Sequence, residues 1–161
     1  MRCLLVDKIT AWEKGSRITG VKNVTMSENF LQDHFPGFPV MPGVMQLEAV
    51  AQLGSWLVFA SSDYRHRARL AGAKSITYKD FVVPGDQMRI ELELVSFDEQ
   101  AAGFTAEIFV GDTLKTRIKG GRLALVAAEQ LEDTKTAQQH FQFITGNAPM
   151  GAYTSGSNGS M

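Results

Sequence analysis

A chain of 161 residues is the length of one domain, and 44% apolar with 20% charged residues is a globular composition that excludes a disordered or fibrous chain. Sixteen Lys plus Arg against seventeen Asp plus Glu leave a formal net charge of −1, which supplies no global field for phosphate backbones and excludes nucleic acid as an expected partner. The single cysteine, Cys3, cannot form an internal disulfide or a cysteine-rich zinc site, so a reducing cytoplasm is expected.

Residues 1–8 hold too short an apolar run for a signal peptide. The longest apolar stretch, 44–60, is interrupted by Gln46, Glu48, Gln52 and Ser55 and falls short of the roughly 20 residues that a membrane-spanning helix needs. Neither export nor a membrane is expected.

In chain order, the apolar run 4–9 and the alternating, β-branched segment 17–25 predict one or two strands. Residues 33–43 carry three prolines and two glycines, which exclude regular structure and predict a rigid loop. Pro42 suits a helix start, and good helix formers follow, so a helix is expected over about 42–61. The polar, basic stretch 63–69 reads as a surface connection, with a strand over about 73–81 after it. Over 87–97 Met88, Ile90, Leu92 and Leu94 alternate with Arg89, Glu91 and Glu93, the period of a half-buried strand. A hairpin loop at 98–103, a strand over 104–110, a turn at Gly111-Asp112 and a strand over 113–126 complete an antiparallel meander. Gly120-Gly121 predicts a bulge in its last strand. Beyond 126 a short helix and then a disordered tail are expected, giving a domain over 1–126 and an extension over 127–161. The order of elements specifies an α+β domain in which a sheet covers one long apolar helix.

Three features carry chemistry. Glu48, Gln52 and Ser55 stand at i, i+4 and i+7 and share one helix face. On a buried helix, desolvation would raise the carboxyl pKa toward proton donation near neutrality, with Gln52 placed to orient it; the competing reading pairs Glu48 with a core basic group or turns it to solvent. His34 lies in the rigid loop and is the side chain best suited to proton transfer near neutral pH. Gly43 opens the helix, where unpaired N–H groups favour developing negative charge and the missing side chain permits close approach. A base, an acid and an oxyanion donor fit proton abstraction next to a carbonyl.

The run His34-Phe35-Pro36-Gly37, through Pro39-Val40-Met41-Pro42-Gly43, to Glu48-Ala49-Val50-Ala51-Gln52 resembles the active-site signature of the β-hydroxyacyl-acyl-carrier-protein dehydratases of bacterial fatty acid synthesis. Leu4-Leu5-Val6-Asp7-Lys8, Val21-Lys22-Asn23-Val24-Thr25 and Phe81-Val82-Val83-Pro84-Gly85-Asp86-Gln87 are similar to further stretches of that family, so the resemblance spans about 3–126. It implies the hot-dog fold, an antiparallel sheet wrapped around a long central helix. It also implies a homodimer, open to further assembly as a trimer of dimers, with His34 of one protomer facing Glu48 of the other. The implied substrate is a (3R)-hydroxyacyl thioester on the phosphopantetheine of acyl carrier protein, with no metal or redox cofactor. His34 would take the C2 proton, the Gly43 N–H would polarise the thioester carbonyl, Glu48 would assist loss of the 3-hydroxyl as water, and Gln52 would support it. Glu rather than Asp at 48 resembles the branch that eliminates water without moving the double bond. The chain departs from the family pattern at Asp33, where glycine is expected, at Phe81, where proline is common, and at Lys119-Gly120-Gly121-Arg122.

Met41, Met45, Trp56 and Phe59 are candidates to line an acyl tunnel, against ordinary core packing. Arg65, Arg67, Arg69 and Lys79 could steer an acidic carrier, against a solvated basic loop. Two other functions share the fold: a thioesterase in which Glu48 directs water at the thioester, and a silent subunit that binds acyl carriers.

Overall fold

The computed structural model describes residues 4–31 and 37–146. Its centre is the helix α1 (Gly43–Ser61), of which Ala49, Val50, Leu53, Leu57, Val58 and Phe59 are almost wholly buried. A helix apolar on most of its faces must be covered on most of them, and a curled antiparallel sheet does so.

The strands are β1 (Lys8–Glu13), β2 (Arg17–Asn23), β3 (His66–Gly72), β4 (Ser75–Tyr78), β5 (Gln87–Phe97), β6 (Ala101–Val110) and β7 (Thr113–Ala127). They pair in the order β1-β2-β5-β6-β7-β3, with β4 also on β7. The alternation of β5 is realised: Met88, Ile90 and Leu92 are buried, Leu94 is half-buried, and Ile90 and Leu92 face Ile108 and Ala106 across the ladder to β6. Burying each such side chain contributes about 1.5–3 kcal/mol, and register is fixed because a slip of one residue would turn the whole apolar set outward. The expected bulge is present: Phe104 pairs with Gly121 but Ala106 with Ile118, so β7 carries an extra residue, and Gly120 takes a φ of +62°. Gly121 lies so close under the Phe104 ring that any side chain there would overlap it. The Gly111 turn is likewise left-handed, at φ +60°.

Three expectations are corrected. The apolar run at 4–9 is not the first strand: Leu5 and Val6 are buried, yet pairing starts at Lys8 and runs to Glu13. The basic stretch at 63–69 is not a surface connection, because from His66 it is strand β3, paired with β7 from His66↔Ala127 onward. Its Arg67 is buried beside Glu132, a neutralising partner far away in the sequence. The strand expected over 73–81 is only Ser75–Tyr78, so β3 and β4 follow one another along β7 with a break between them.

After β7 come a 3₁₀ turn (Ala128–Gln130) and the helix α2 (Thr134–Thr145). Asp133 caps α2, accepting from the Thr136 N–H at 3.1 Å and its hydroxyl at 2.8 Å. Gly146 ends it at φ +77°. Ala137, Phe141 and Ile144 repeat at i, i+4 and i+7 and bury against the main core, where Phe141 meets Trp12, Trp56 and Phe59. Among the described residues no helix is long and apolar enough to cross a membrane.

Candidate active site

The start of α1 is built by the loop before it. The Met41 N–H donates to the Val82 carbonyl at 2.7 Å, Gly37 takes a left-handed φ of +83°, and the Phe38 and Phe81 rings meet edge to face at 5.7 Å. Pro42 takes the capping position without a side-chain hydrogen bond, and its carbonyl accepts from the Met45 and Gln46 N–H groups. Helical geometry leaves the N–H of Gly43 without an intrahelical acceptor. Thr116 on β7 fixes the first turn by donating to Gln46 Oε1 at 2.6 Å, both side chains being buried.

The space beside Gly43 is held by Tyr78, which the sequence reading did not single out. A Cβ at Gly43 would stand 2.6 Å from Tyr78 Cζ and 2.9 Å from its Oη. Desolvation pushes the Tyr78 hydroxyl above its usual pKa range, so it keeps its proton at neutral pH. The sequence offered no signal for this pair, since it is a register match between β4 and the start of α1.

Glu48 is exposed in the single chain, which corrects the expectation of a carboxylate buried on a buried helix. The physical reason is that the sheet covers α1 incompletely, leaving the face that carries Val44 and Glu48 open. Glu48, Gln52 and Ser55 do share a face, and all three line one groove of about 780 Å³ between α1 and β3. Gln52 does not show the expected role of orienting Glu48: its Oε1 accepts from the Leu5 N–H at 2.8 Å and so ties the N-terminal segment to α1. A second groove of the same volume crosses β1, β2, β5, β6 and β7, but it is lined by residues such as Arg17, Glu93, Glu107 and Arg117 and contains none of the expected site residues.

His34 lies outside the described residues. Of the tunnel candidates, Trp56 lines the groove, whereas Met41 and Phe59 are core residues and Met45 packs against the core. Of the four basic residues, Arg65, Arg69 and Lys79 are exposed, and Arg67 is buried and therefore leaves the steering set.

The model of the FabA-like domain family matches residues 1–119. The chain is 43% identical over 112 residues to the 3-hydroxyacyl-[acyl-carrier-protein] dehydratase FabZ of Desulforamulus reducens, covering 69% of this chain and 79% of that one. It is 38% identical over 135 residues to the protein of the same name from Hydrogenobaculum sp., covering 82% and 88%. Among solved structures, the dehydratase heterocomplex ApeI:P from Xenorhabdus doucetiae superposes with a TM-score of 0.60 at 18% identity, over 84% of this chain and 88% of that one. A conserved protein from Pseudomonas aeruginosa superposes at 0.58 and 16% identity, over 74% and 87%. The structural likeness establishes the hot-dog fold alone, while the sequence likeness carries the chemistry: the chain belongs to the FabA-like family and is a hydro-lyase of its FabZ group.

Proposed function

We propose that the chain removes water from (3R)-hydroxyacyl thioesters carried on the phosphopantetheine of acyl carrier protein, giving trans-2-enoyl thioesters for fatty acid biosynthesis in the cytoplasm. The observation that carries the reading is the position of Glu48, about 1.4 helical turns beyond the uncapped N–H of Gly43, in the lining of a groove between α1 and β3. A thioester carbonyl accepting from Gly43 N–H would sit against the positive end of the helix dipole, which stabilises the enolate oxygen that forms when C2 loses its proton. His34 takes that proton. The electron pair left on C2 forms the C2–C3 double bond as the C3–O bond breaks, and Glu48 donates the proton with which the 3-hydroxyl leaves as water. Run in reverse, the same groups add water, so neither metal nor redox cofactor is required.

Glu48 is exposed in one chain. A second protomer would cover it in this reading: β3 is the last strand of the sheet, its outer edge is unpaired among the described residues, and a dimer across it would cover the Glu48 face, with the partner's His34 opposite it as the family resemblance implies. Exposed Arg65, Arg69 and Lys79 stand ready to attract an acidic carrier.

The test is to supply the purified chain with a 3-hydroxyacyl thioester on acyl carrier protein and follow the enoyl product by mass spectrometry, with His34→Ala in parallel. Reversible loss of water that vanishes in the variant is expected. Free carrier thiol would replace the reading with a thioesterase, and an unchanged substrate with carrier bound would replace it with a silent binding subunit.

A further inference from the structure

The groove that begins at Glu48 has an end. Glu48, Ala51, Gln52, Ser55 and Trp56 form one stripe of α1, and from Glu48 to Trp56 the helix advances about 12 Å. Ala51 on this stripe, Leu4, and Ala68 and Leu70 of β3 line the groove and supply apolar surface for an alkyl chain beside the polar Gln52 and Arg69. Around Trp56 the wall is fixed by a buried ion pair. Arg67 Nε donates to Ser55 Oγ at 2.8 Å, its Nη1 donates to Glu132 Oε1 at 2.9 Å, and its guanidinium carbon lies 3.9 Å from the centre of the Trp56 ring. The two charged side chains are only 8% and 15% exposed. Leu131, beside Glu132, adds an exposed apolar side chain to the same wall.

A guanidinium held by a hydroxyl, a carboxylate and an aromatic face is preorganised. Separating a buried ion pair costs more than burying one or two further methylenes returns, so an advancing acyl chain stops at this wall. Glu132 and Leu131 come from the segment between β7 and α2, beyond the residues that the family model matches.

We propose that Arg67, anchored by Ser55, Trp56 and Glu132, forms with Leu131 the closed end of the acyl site and sets the longest chain the enzyme accepts. The inference rests on the reacting thioester lying at Gly43 and Glu48. Short and medium acyl chains fit between Glu48 and the wall; long ones do not. A latch that served stability alone would change the melting temperature of the protein and leave the choice of substrate untouched.

The test compares hydration of crotonyl, octenoyl and hexadecenoyl thioesters on acyl carrier protein by the full-length chain, by Leu131→Ala, by Arg67→Ala/Glu132→Ala and by Leu131→Trp. The wild-type kcat/KM should fall at least about tenfold from octenoyl to hexadecenoyl. Leu131→Ala should recover part of that loss through KM and the double variant most of it, so that the hexadecenoyl-to-crotonyl ratio of kcat/KM rises in both, and Leu131→Trp should extend the loss to octenoyl. Because Leu131 is exposed, its two variants remain informative if the double variant fails to fold. Equal turnover of all three lengths by the wild type, or an unchanged ratio in the Leu131 variants, would overturn the proposal. If no length is turned over, the dehydratase reading fails, and calorimetric binding of the same thioesters decides the wall: loss of hexadecenoyl binding that Leu131→Ala restores supports it, and length-independent binding overturns it.

Discussion

Replacing Phe141 by Ala tests whether α2 is part of the folded core. The side chain is 3% exposed and meets three aromatic rings, with centroids 5.5 Å away at Trp12, 5.8 Å at Trp56 and 6.5 Å at Phe59. Truncating a buried phenylalanine costs about 3–5 kcal/mol, depending on how far the site can collapse. Trp12 is partly exposed and can move into the gap, which places the expected loss near the lower end, about 3 kcal/mol. For a chain of this size that lowers Tm by roughly 6–12 °C, a large share of a typical total stability of about 5–15 kcal/mol. Urea denaturation should show a lower midpoint with an unchanged slope, while Gln139→Ala, on the exposed face of α2, should stay within about 0.5 kcal/mol of wild type. A loss below about 1 kcal/mol for Phe141→Ala would refute the docking of α2. Since Asp133 caps α2 directly after Glu132, weakened docking should also loosen the Arg67 wall and relax chain-length selectivity.

If Glu48 is the general acid, as proposed, Glu48→Gln should lower kcat/KM by about 10²- to 10⁴-fold with the circular dichroism spectrum unchanged; activity within about threefold of wild type would end that role. Gly43→Ala should leave the fold intact, since Tyr78 is exposed enough to swing aside, but should reduce turnover if the thioester carbonyl approaches Gly43 as proposed; steady-state kinetics beside circular dichroism check both halves. Folding holds the Asp133 carboxyl below its usual pKa, chiefly through the Thr136 hydroxyl and then the Thr136 N–H. Its contribution is therefore complete above the ordinary aspartate value of about 4 and is lost as pH falls through the folded value. Asp133→Asn keeps the cap and should match wild type at neutral pH while melting less steeply with acid. Val44→Arg, at a side chain 68% exposed, should fold but sediment as a monomer without activity; an active monomer would remove the partner protomer from the site.

Periodicity was readable wherever a segment has one neutral and one polar face. The expected β5 coincides with Gln87–Phe97 because Met88, Ile90 and Leu92 alternate cleanly with charged residues, and α1 starts where Pro42 and the run of helix formers require. It failed where apolarity reports burial without pairing. Leu5 and Val6 are buried because Gln52 and the core hold them, yet the ladder begins two residues later. It failed again where a charge is neutralised at long range. Arg65, Arg67 and Arg69 look like one solvated cluster, but strand geometry turns the middle one inward, and Glu132 is 65 residues away. The same distance hides the pairing of Arg67 with Glu132 that lines the groove, and the contact of Gly43 with Tyr78 is hidden likewise.

Glu48 shows a different limit. A carboxylate on a helix that is apolar nearly all round reads as a buried group, and the structure instead leaves it exposed on a face the sheet does not reach. The sheet of the same chain covers α1 along Val50, Leu53, Leu57 and Phe59 and stops short of Val44 and Glu48, while Phe38, Tyr78 and Phe81 crowd, exposed, around the start of the helix. Exposed aromatic and aliphatic side chains gathered beside a sheet edge that is unpaired among the described residues fit the association proposed above. If the Glu48 face is completed by a second protomer, as proposed, turnover should follow the fraction of protein assembled when it is diluted, in parallel with the sedimentation of Val44→Arg.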